Sequence, residues 1–204
     1  MSGDTRFHVH HDAPIQVGRR ERLGVRLLIV ADGAFVFGMI FSYFYLRNLN
    51  ANNGWIPEGG HTLSAMSGWV SVFPLIIAAI THRIAMKSGN AFKNIAPITF
   101  VVLLVGLYLQ WKQLAHMPFQ VDGEAEGEKI FGFEGAYASS WVLIAGANMF
   151  HYILGAFVAL GVALRSRRND LNAVLEFWRQ RTVGSWLTWI AISGIACAIT
   201  TSII

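Results

Sequence analysis

The sequence contains little charge. Asp, Glu, Lys and Arg together make up 14% of the 204 residues, whereas soluble domains usually carry about 25%. Apolar residues make up 54%, and they stand in long blocks instead of on separate faces. This distribution excludes an ordinary soluble domain, because a block of roughly 20 apolar residues is the length that crosses the hydrocarbon core of a bilayer.

Cysteine is almost absent, and so are the common catalytic motifs. The single cysteine, Cys197, excludes an internal disulfide and is interpreted as a small packing residue inside the last apolar block. We expect no cleavable signal peptide, because residues 1–22 are polar where an apolar segment would be needed. No nucleotide-binding loop, nucleophile elbow or paired-carboxylate site is recognisable, so the residues alone indicate no catalytic centre.

Five apolar blocks predict an all-α integral membrane bundle. Inside lipid every backbone polar group must be bonded within the protein, which allows only helices or closed barrels, and the short alternating segments of a barrel are missing. We predict a polar cytoplasmic tail over residues 1–22 and a membrane domain over residues 23–204. The predicted transmembrane helices cover about residues 23–46, 64–86, 95–114, 139–164 and 182–204.

The basic residues predict an orientation for this bundle. Lys and Arg close to helix ends favour the cytoplasmic side. Nearly all of them stand in the N-terminal tail and in the second-to-third and fourth-to-fifth loops, whereas the third-to-fourth loop is acidic, with Glu124, Glu126, Glu128 and Glu134. The pattern places the N-terminus inside and the C-terminus outside. It gives no reason to expect a nucleic-acid partner.

Asp32 stands inside the first predicted helix. A carboxylate at such a depth costs roughly 2.5–3.5 kcal/mol on insertion scales, so we expect it to face protein and not lipid. One interpretation is a proton-handling group or an ion-pair partner of another subunit. The other, which we favour, is a buried carboxylate that is hydrogen-bonded to a neighbouring helix and serves packing.

Asn148 and His151 share one face of the fourth predicted helix, because residues three apart are neighbours on a helix surface. Haem or metal ligation by His151 would need further ligands, and His82 and His116 stand at predicted helix ends. We therefore predict that this chain holds no metal and interpret His151 as a hydrogen-bonded structural residue. Gln110 is a further polar residue, near the end of the third helix.

The tryptophans mostly fall near predicted span ends, as in the aromatic belt of membrane proteins. Trp55 and Trp111, together with Arg47, are the candidates for contact with lipid or with another subunit. The full set is Trp55, Trp69, Trp111, Trp141, Trp178, Trp186 and Trp189.

Two parts of the chain, the first predicted helix with the turn after it and the fourth predicted helix, carry a recognisable family pattern. Residues 31–38 read ADGAFVFG and residues 41–47 read FSYFYLR, and a Trp-Ile-Pro turn follows at residues 55–57. Residues 146–155 read GANMFHYILG. In order and spacing these segments resemble subunit III of the haem-copper oxidases, the cytochrome c and quinol oxidases. That family has an acidic residue before an aromatic pair in the first of these helices, and Asp32 stands at the acidic position.

Other residues of the chain match the family pattern only in part. The family has two histidines three apart followed by a glycine, and here His151 and Gly155 match while Asn148 replaces the first histidine. Gln110 stands where the membrane glutamate of the family is expected. The length and the five predicted helices resemble the short bacterial form, so the chain is interpreted as a divergent member.

The resemblance implies a function that the residues alone do not. It implies a non-catalytic subunit of a terminal oxidase in the bacterial inner membrane, packed on catalytic subunit I and in contact with other oxidase subunits. The subunit would stabilise subunit I and support proton uptake and oxygen access during electron transfer to oxygen. Haem and copper would lie in the partner subunit and none in this chain, which could bind phospholipid in its grooves.

Two other classes of protein stay open at this point. One is a subunit III-like accessory protein of a nitric oxide reductase system. The other is a small transporter or quinone-binding protein, which would more often show broken helices and internal repeats. The sequence indicates neither feature.

Overall fold

A computed structural model of the protein describes residues 12–118, 120–125, 128–133 and 135–203. In these ranges five helical spans are long and apolar enough to cross a membrane, which confirms the predicted all-α membrane bundle. The helices are α1 (Pro14–Leu49), α2 (Ala65–Val70), α3 (Phe73–Lys87), α4 (Phe92–Ala115), α5 (Gly135–Arg165) and α6 (Ala173–Thr201), with short 3₁₀ turns at Ala51–Asn53 and Gly89–Ala91.

The first helix begins well inside the segment predicted as a polar tail. It starts at Pro14 instead of near residue 23, and proline favours the first helical position because its φ is already helical and its missing N–H is not needed there. A helix of 36 residues is about 54 Å long, much longer than the hydrocarbon core of roughly 30 Å. The hydropathy pattern marks only the apolar part of α1, so the polar first turns of the helix were not included in the predicted span. Residues 1–11 of the predicted tail lie outside the described residues.

The second span, predicted as one helix over residues 64–86, is broken into α2 and α3. The break falls at Ser71 and Val72, and its cause is Pro74, which has no N–H for a helical bond and whose ring would clash with the carbonyl four residues earlier. The break frees the carbonyl oxygen of Ser71, and the hydroxyl of Tyr152 on α5 donates a hydrogen bond to it. The expectation of unbroken helices is therefore corrected.

The sixth helix also begins earlier than its predicted start at residue 182. Asn172 caps it, and its side-chain oxygen accepts hydrogen bonds from the backbone N–H of Val174 at 3.1 Å and of Leu175 at 3.2 Å. Such a cap satisfies donors that a helix start otherwise leaves unpaired. Just before it, Arg168 donates hydrogen bonds to the exposed carboxylate of Asp170 and thereby lowers the pKa of that carboxyl.

The predicted acidic loop contains a two-stranded antiparallel hairpin of β1 (Gln120–Ala125) and β2 (Glu128–Phe133). Glu124 pairs with Lys129 in its register, and Ala125 pairs with Glu128. This hairpin lies outside the five helical spans. Glu126 and Glu134 lie outside the described residues.

The helices pack around α5 and α6. Helix α5 packs on α4, α1 and α6, and α3 packs on α4 and α6. Helix α1 lies against α6 and α5 on one side only, and its other side carries large apolar residues, among them Val30 at 70% and Phe37 at 69% exposure. An apolar face of this size requires lipid or another protein to cover it.

Candidate functional site

A half-buried carboxylate joins three helices near the middle of the bundle. The Oδ1 and Oδ2 atoms of Asp32 on α1 lie 3.0 and 3.1 Å from Nε2 of His151 on α5. From α6, the indole N–H of Trp189 donates a hydrogen bond of 2.6 Å to Asp32 Oδ2. When Nε2 of His151 carries a proton, two donors converge on one carboxylate, which offsets the cost of keeping it away from water.

The packing around this carboxylate fixes both of its partners. The side chains of His151 and Asp32 are 4% and 12% exposed. The imidazole of His151 lies edge-on to the ring of Trp186, with centroids 6.0 Å apart. Next to Asp32, Gly33 lies against the Trp189 indole, and a Cβ there would lie 3.4 Å from its ring, an ordinary van der Waals distance. We define Asp32, His151 and Trp189 as the carboxylate cluster.

Trp189 is the member of this cluster that the sequence analysis missed. The sequence pattern places Trp189 in the aromatic belt, but it lies in the middle of α6 and not at its end. The sequence does contain a signal for this role, because an indole N–H deep in an apolar span usually needs a hydrogen-bond acceptor when it is buried.

A second polar set lies between α5, α4 and α2. The side-chain amide of Asn148 donates to Gln110 Oε1 at 2.7 Å, and the amide of Gln110 donates to Gln113 Oε1 at 3.2 Å. The amide of Gln113 donates to the carbonyl oxygen of Ser67 at 2.7 Å. Gln110 and Asn148 are 1% and 6% exposed. This amide chain is neutral and ties the broken second span to the bundle.

A small cavity adjoins the amide chain. Its volume is about 20 Å³, and a cavity of roughly 10–15 Å³ is enough for one water molecule. The buried Oδ1 of Asn148 lines this space and has no hydrogen-bond partner among the described residues. The cavity is too small for a quinone or for a transported solute.

The three surface candidates occupy different environments. Trp55 is only 7% exposed, and its ring packs edge-on against Tyr43 at 4.9 Å and Tyr137 at 5.6 Å. Its expected contact with lipid or another subunit is therefore corrected. Trp111 is 52% exposed on α4, and Arg47 is half-buried at the end of α1, so for these two the contact stays a prediction.

The burial of Trp55 follows from the backbone. The loop after α1 folds over the start of α5, where the N–H groups of Ala136 and Tyr137 donate to the carbonyl oxygens of Gly54 and Trp55 at 2.9 and 3.0 Å. The hydropathy pattern does not indicate that this loop packs against the start of α5.

In the part of the chain that the structure describes, no three His, Cys, Asp or Glu residues come together as a metal site. His82 Nε2 lies 3.0 Å from the carbonyl oxygen of Gln180, and His116 Nδ1 lies 2.9 Å from that of Lys112. These two histidines, like His151, thus lie within hydrogen-bond distance of protein groups. That the chain holds no metal stays a prediction.

An ion-pair network closes the end of the bundle that contains the start of α1. Arg179 on α6 lies 3.2 Å from Glu21 of α1 and 2.9 Å from Glu176 of its own helix. Arg165 at the end of α5 lies 3.4 Å from Glu176. Helices α1, α5 and α6 are therefore connected at this end as well as at the carboxylate cluster.

These features define a multi-pass helical membrane protein with a polar interior. No protein-family model matches the chain. Among curated proteins, the chain is similar to cytochrome c oxidase subunit 3 of Prototheca wickerhamii, with 25% identity over 168 residues. The match covers 76% of this chain and 58% of the relative, so the chain spans little more than half of the relative's length. The chain is thus a divergent protein with distant similarity to an oxidase subunit III.

Proposed function

We propose that this chain is a non-catalytic, subunit III-like component of a respiratory haem-copper terminal oxidase and packs on its catalytic subunit I. The observation that carries the proposal is the contact between Asp32 and His151. Both residues match positions of the family pattern, they lie 119 residues apart in sequence, and their side chains meet at 3.0 Å.

The two departures from the family pattern support the same assignment. Gln110 stands where a glutamate is expected and Asn148 where a histidine is expected, and these two side chains are bonded to each other at 2.7 Å. This neutral amide pair joins α4 and α5 without placing a charge in the membrane interior.

The proposed role in the complex is supportive. The chain stabilises subunit I and supports proton uptake and oxygen access during electron transfer to oxygen, while haem and copper belong to the partner subunit. The uncovered apolar face of α1, with Val30 and Phe37 exposed, offers a surface for a many-helix partner. Bound phospholipid and a bacterial inner membrane location belong to the same proposal.

Isolation in mild detergent tests the partner. The tagged chain is expected to copurify with a larger, many-helix protein that has the absorption bands of haem, identified by mass spectrometry and reduced-minus-oxidised spectra. Recovery of the chain as an isolated monomer from native membranes would exclude a stable partner. Copurification with a nitric oxide reductase would favour the accessory-protein alternative.

Reporter fusions test the proposed orientation, with the N-terminus inside and the C-terminus outside. A fusion at Asp170, in the basic loop before α6, is expected to report the cytoplasmic side. A fusion at Gly123, in β1, is expected to report the opposite side. Alkaline phosphatase and green fluorescent protein make a matched reporter pair, and the same side for both positions would contradict the five-span arrangement.

A further inference from the structure

The amide chain has a direction, and the backbone carbonyl of Ser67 sets it. A carbonyl oxygen can only accept a hydrogen bond, so the side chain of Gln113, 2.7 Å away, must present its N–H to it. The oxygen of the same side-chain amide then faces Gln110, which in turn must present its own N–H, at 3.2 Å. Exchanging oxygen and nitrogen at either amide would place two acceptors against each other.

The same rule fixes the amide of Asn148, the last member of the chain. Because Gln110 Oε1 faces Asn148, the side-chain N–H of Asn148 donates to it, at 2.7 Å. The Oδ1 atom of Asn148 is therefore left outside the amide chain. It is buried, it has no hydrogen-bond donor among the described residues, and Asn148 lines the small cavity. A buried acceptor without a donor is destabilising, so this oxygen requires a partner in the cavity.

We propose that this cavity binds one water molecule, which donates a hydrogen bond to Oδ1 of Asn148. The ligand class follows from the size and the charge of the cavity. Its volume of about 20 Å³ admits one water molecule but no larger ligand. No Asp, Glu, Lys, Arg or His lines the cavity among the described residues, so a neutral donor fits it and an ion does not.

The lining offers further partners to the water, and a buried water typically makes about three hydrogen bonds. The hydroxyls of Ser71 and Thr201 donate to backbone carbonyls of their own segments at 2.9 and 3.1 Å, so their oxygens remain able to accept. The side-chain amides of Gln110 and Gln113 each carry a second N–H that the amide chain does not use. All four of these residues line the same small space.

The water extends the amide chain toward α6. Cys197 and Thr201 line the cavity from α6, Asn148 lines it from α5 and Gln110 from α4. Ser71 lines it at the break of the second span. The polar groups around the water are carboxamides and hydroxyls, which do not titrate near neutral pH, so we assign the water a structural role. The inference does not depend on the oxidase assignment.

A density map of the full chain, in whatever assembly it is purified and at a resolution that shows ordered water, tests the proposal directly. We expect a single peak in the cavity at hydrogen-bond distance, about 2.5–3.0 Å, from Oδ1 of Asn148. Waters bonded to other buried groups in the same map serve as the reference for peak height. A cavity without density in such a map would overturn the proposal. Density in a preparation that lacks an oxidase partner would contradict only the proposed function.

The variants Cys197→Val and Cys197→Thr test the hydrogen bond by thermal melting. Cys197 is 8% exposed and lines the cavity, and the three residue types have similar helix propensities. Valine is bulkier than cysteine, so it displaces the water and leaves Asn148 Oδ1 without a donor, and Cys197→Val should melt several degrees below the wild type. Threonine has the shape of valine but carries a hydroxyl that can donate to Oδ1, so Cys197→Thr should melt close to the wild type.

Two melting results would also overturn the proposal. If Cys197→Val melts at or above the wild type, the cavity is dry and the valine fills it, which stabilises an apolar void. If both variants melt equally far below the wild type, the loss comes from crowding and not from a lost hydrogen bond. The density map needs only the wild-type chain, so it decides the question if neither variant accumulates.

Discussion

Replacing Asp32 by Leu is expected to destabilise the chain and to shorten the activity of its complex during sustained turnover, while the haem spectrum of the partner stays unchanged. The carboxylate accepts a hydrogen bond from the indole N–H of Trp189, and it lies 3.0 Å from Nε2 of His151. A leucine removes the polar partner of both side chains, and each buried polar group that loses its partner costs about 1–3 kcal/mol. The spectrum should not change, because the variant removes no proposed haem ligand.

Thermal melting of the purified complex and oxygen consumption over many turnovers measure this effect. The matched control is Asp32→Asn, which keeps a side-chain oxygen for Trp189 and removes only the charge. It should lose less stability than Asp32→Leu. Full activity through prolonged turnover, with unchanged proton uptake, in a complex that lacks the whole chain would contradict the supporting role. Equal melting of Asp32→Leu and wild type would contradict the structural role of the carboxylate cluster.

Replacing Gly106 by Ala is expected to disrupt the packing of α4 on α5. A Cβ at Gly106 would lie 2.1 Å from Cε1 of Tyr152. The Tyr152 ring is completely buried, and its hydroxyl is bonded to the Ser71 carbonyl, so the ring has nowhere to move. Overpacking of this kind costs typically about 1–3 kcal/mol, and here it also threatens the hydrogen bond that satisfies the helix break.

A second glycine serves as the control. Gly146 on α5 has nothing within 4 Å of an added Cβ, and alanine is the better helix former. Gly146→Ala should therefore melt at or above the wild-type temperature, whereas Gly106→Ala should melt several degrees lower or fail to accumulate. If Gly106→Ala does not accumulate, the double variant with Tyr152→Leu should restore part of the yield. Equal melting of the two alanine variants would refute the close contact.

The number and the character of the spans were predictable, because lipid forces long apolar segments into helices whatever their neighbours are. The ends of the helices were not, because they depend on single residues. Pro14 starts α1, Asn172 caps α6, and Pro74 breaks the second span. Each of these signals is visible in the sequence, but a hydropathy average conceals it.

For the candidate site, the sequence indicated which polar residues face the protein interior, but it did not indicate their hydrogen-bond partners. The cost of a carboxylate in lipid predicted that Asp32 would be hydrogen-bonded to a neighbouring helix, and the structure places it on His151 and Trp189. The pairing of Gln110 with Asn148 depends on the register between α4 and α5, which no local pattern encodes. The burial of Trp55 depends on a loop returning over the bundle.

The long separation between Asp32 and its partners has a consequence for biosynthesis. Helix α1 is synthesised before both of its partner helices, because His151 follows Asp32 by 119 residues and Trp189 follows it by 157. At about 5–20 residues per second of translation, the carboxylate spends on the order of 6–24 s without His151. During that interval the carboxylate lacks two of the partners that it has in the folded protein, so the final docking of α1 on α5 and α6 is a late event in maturation.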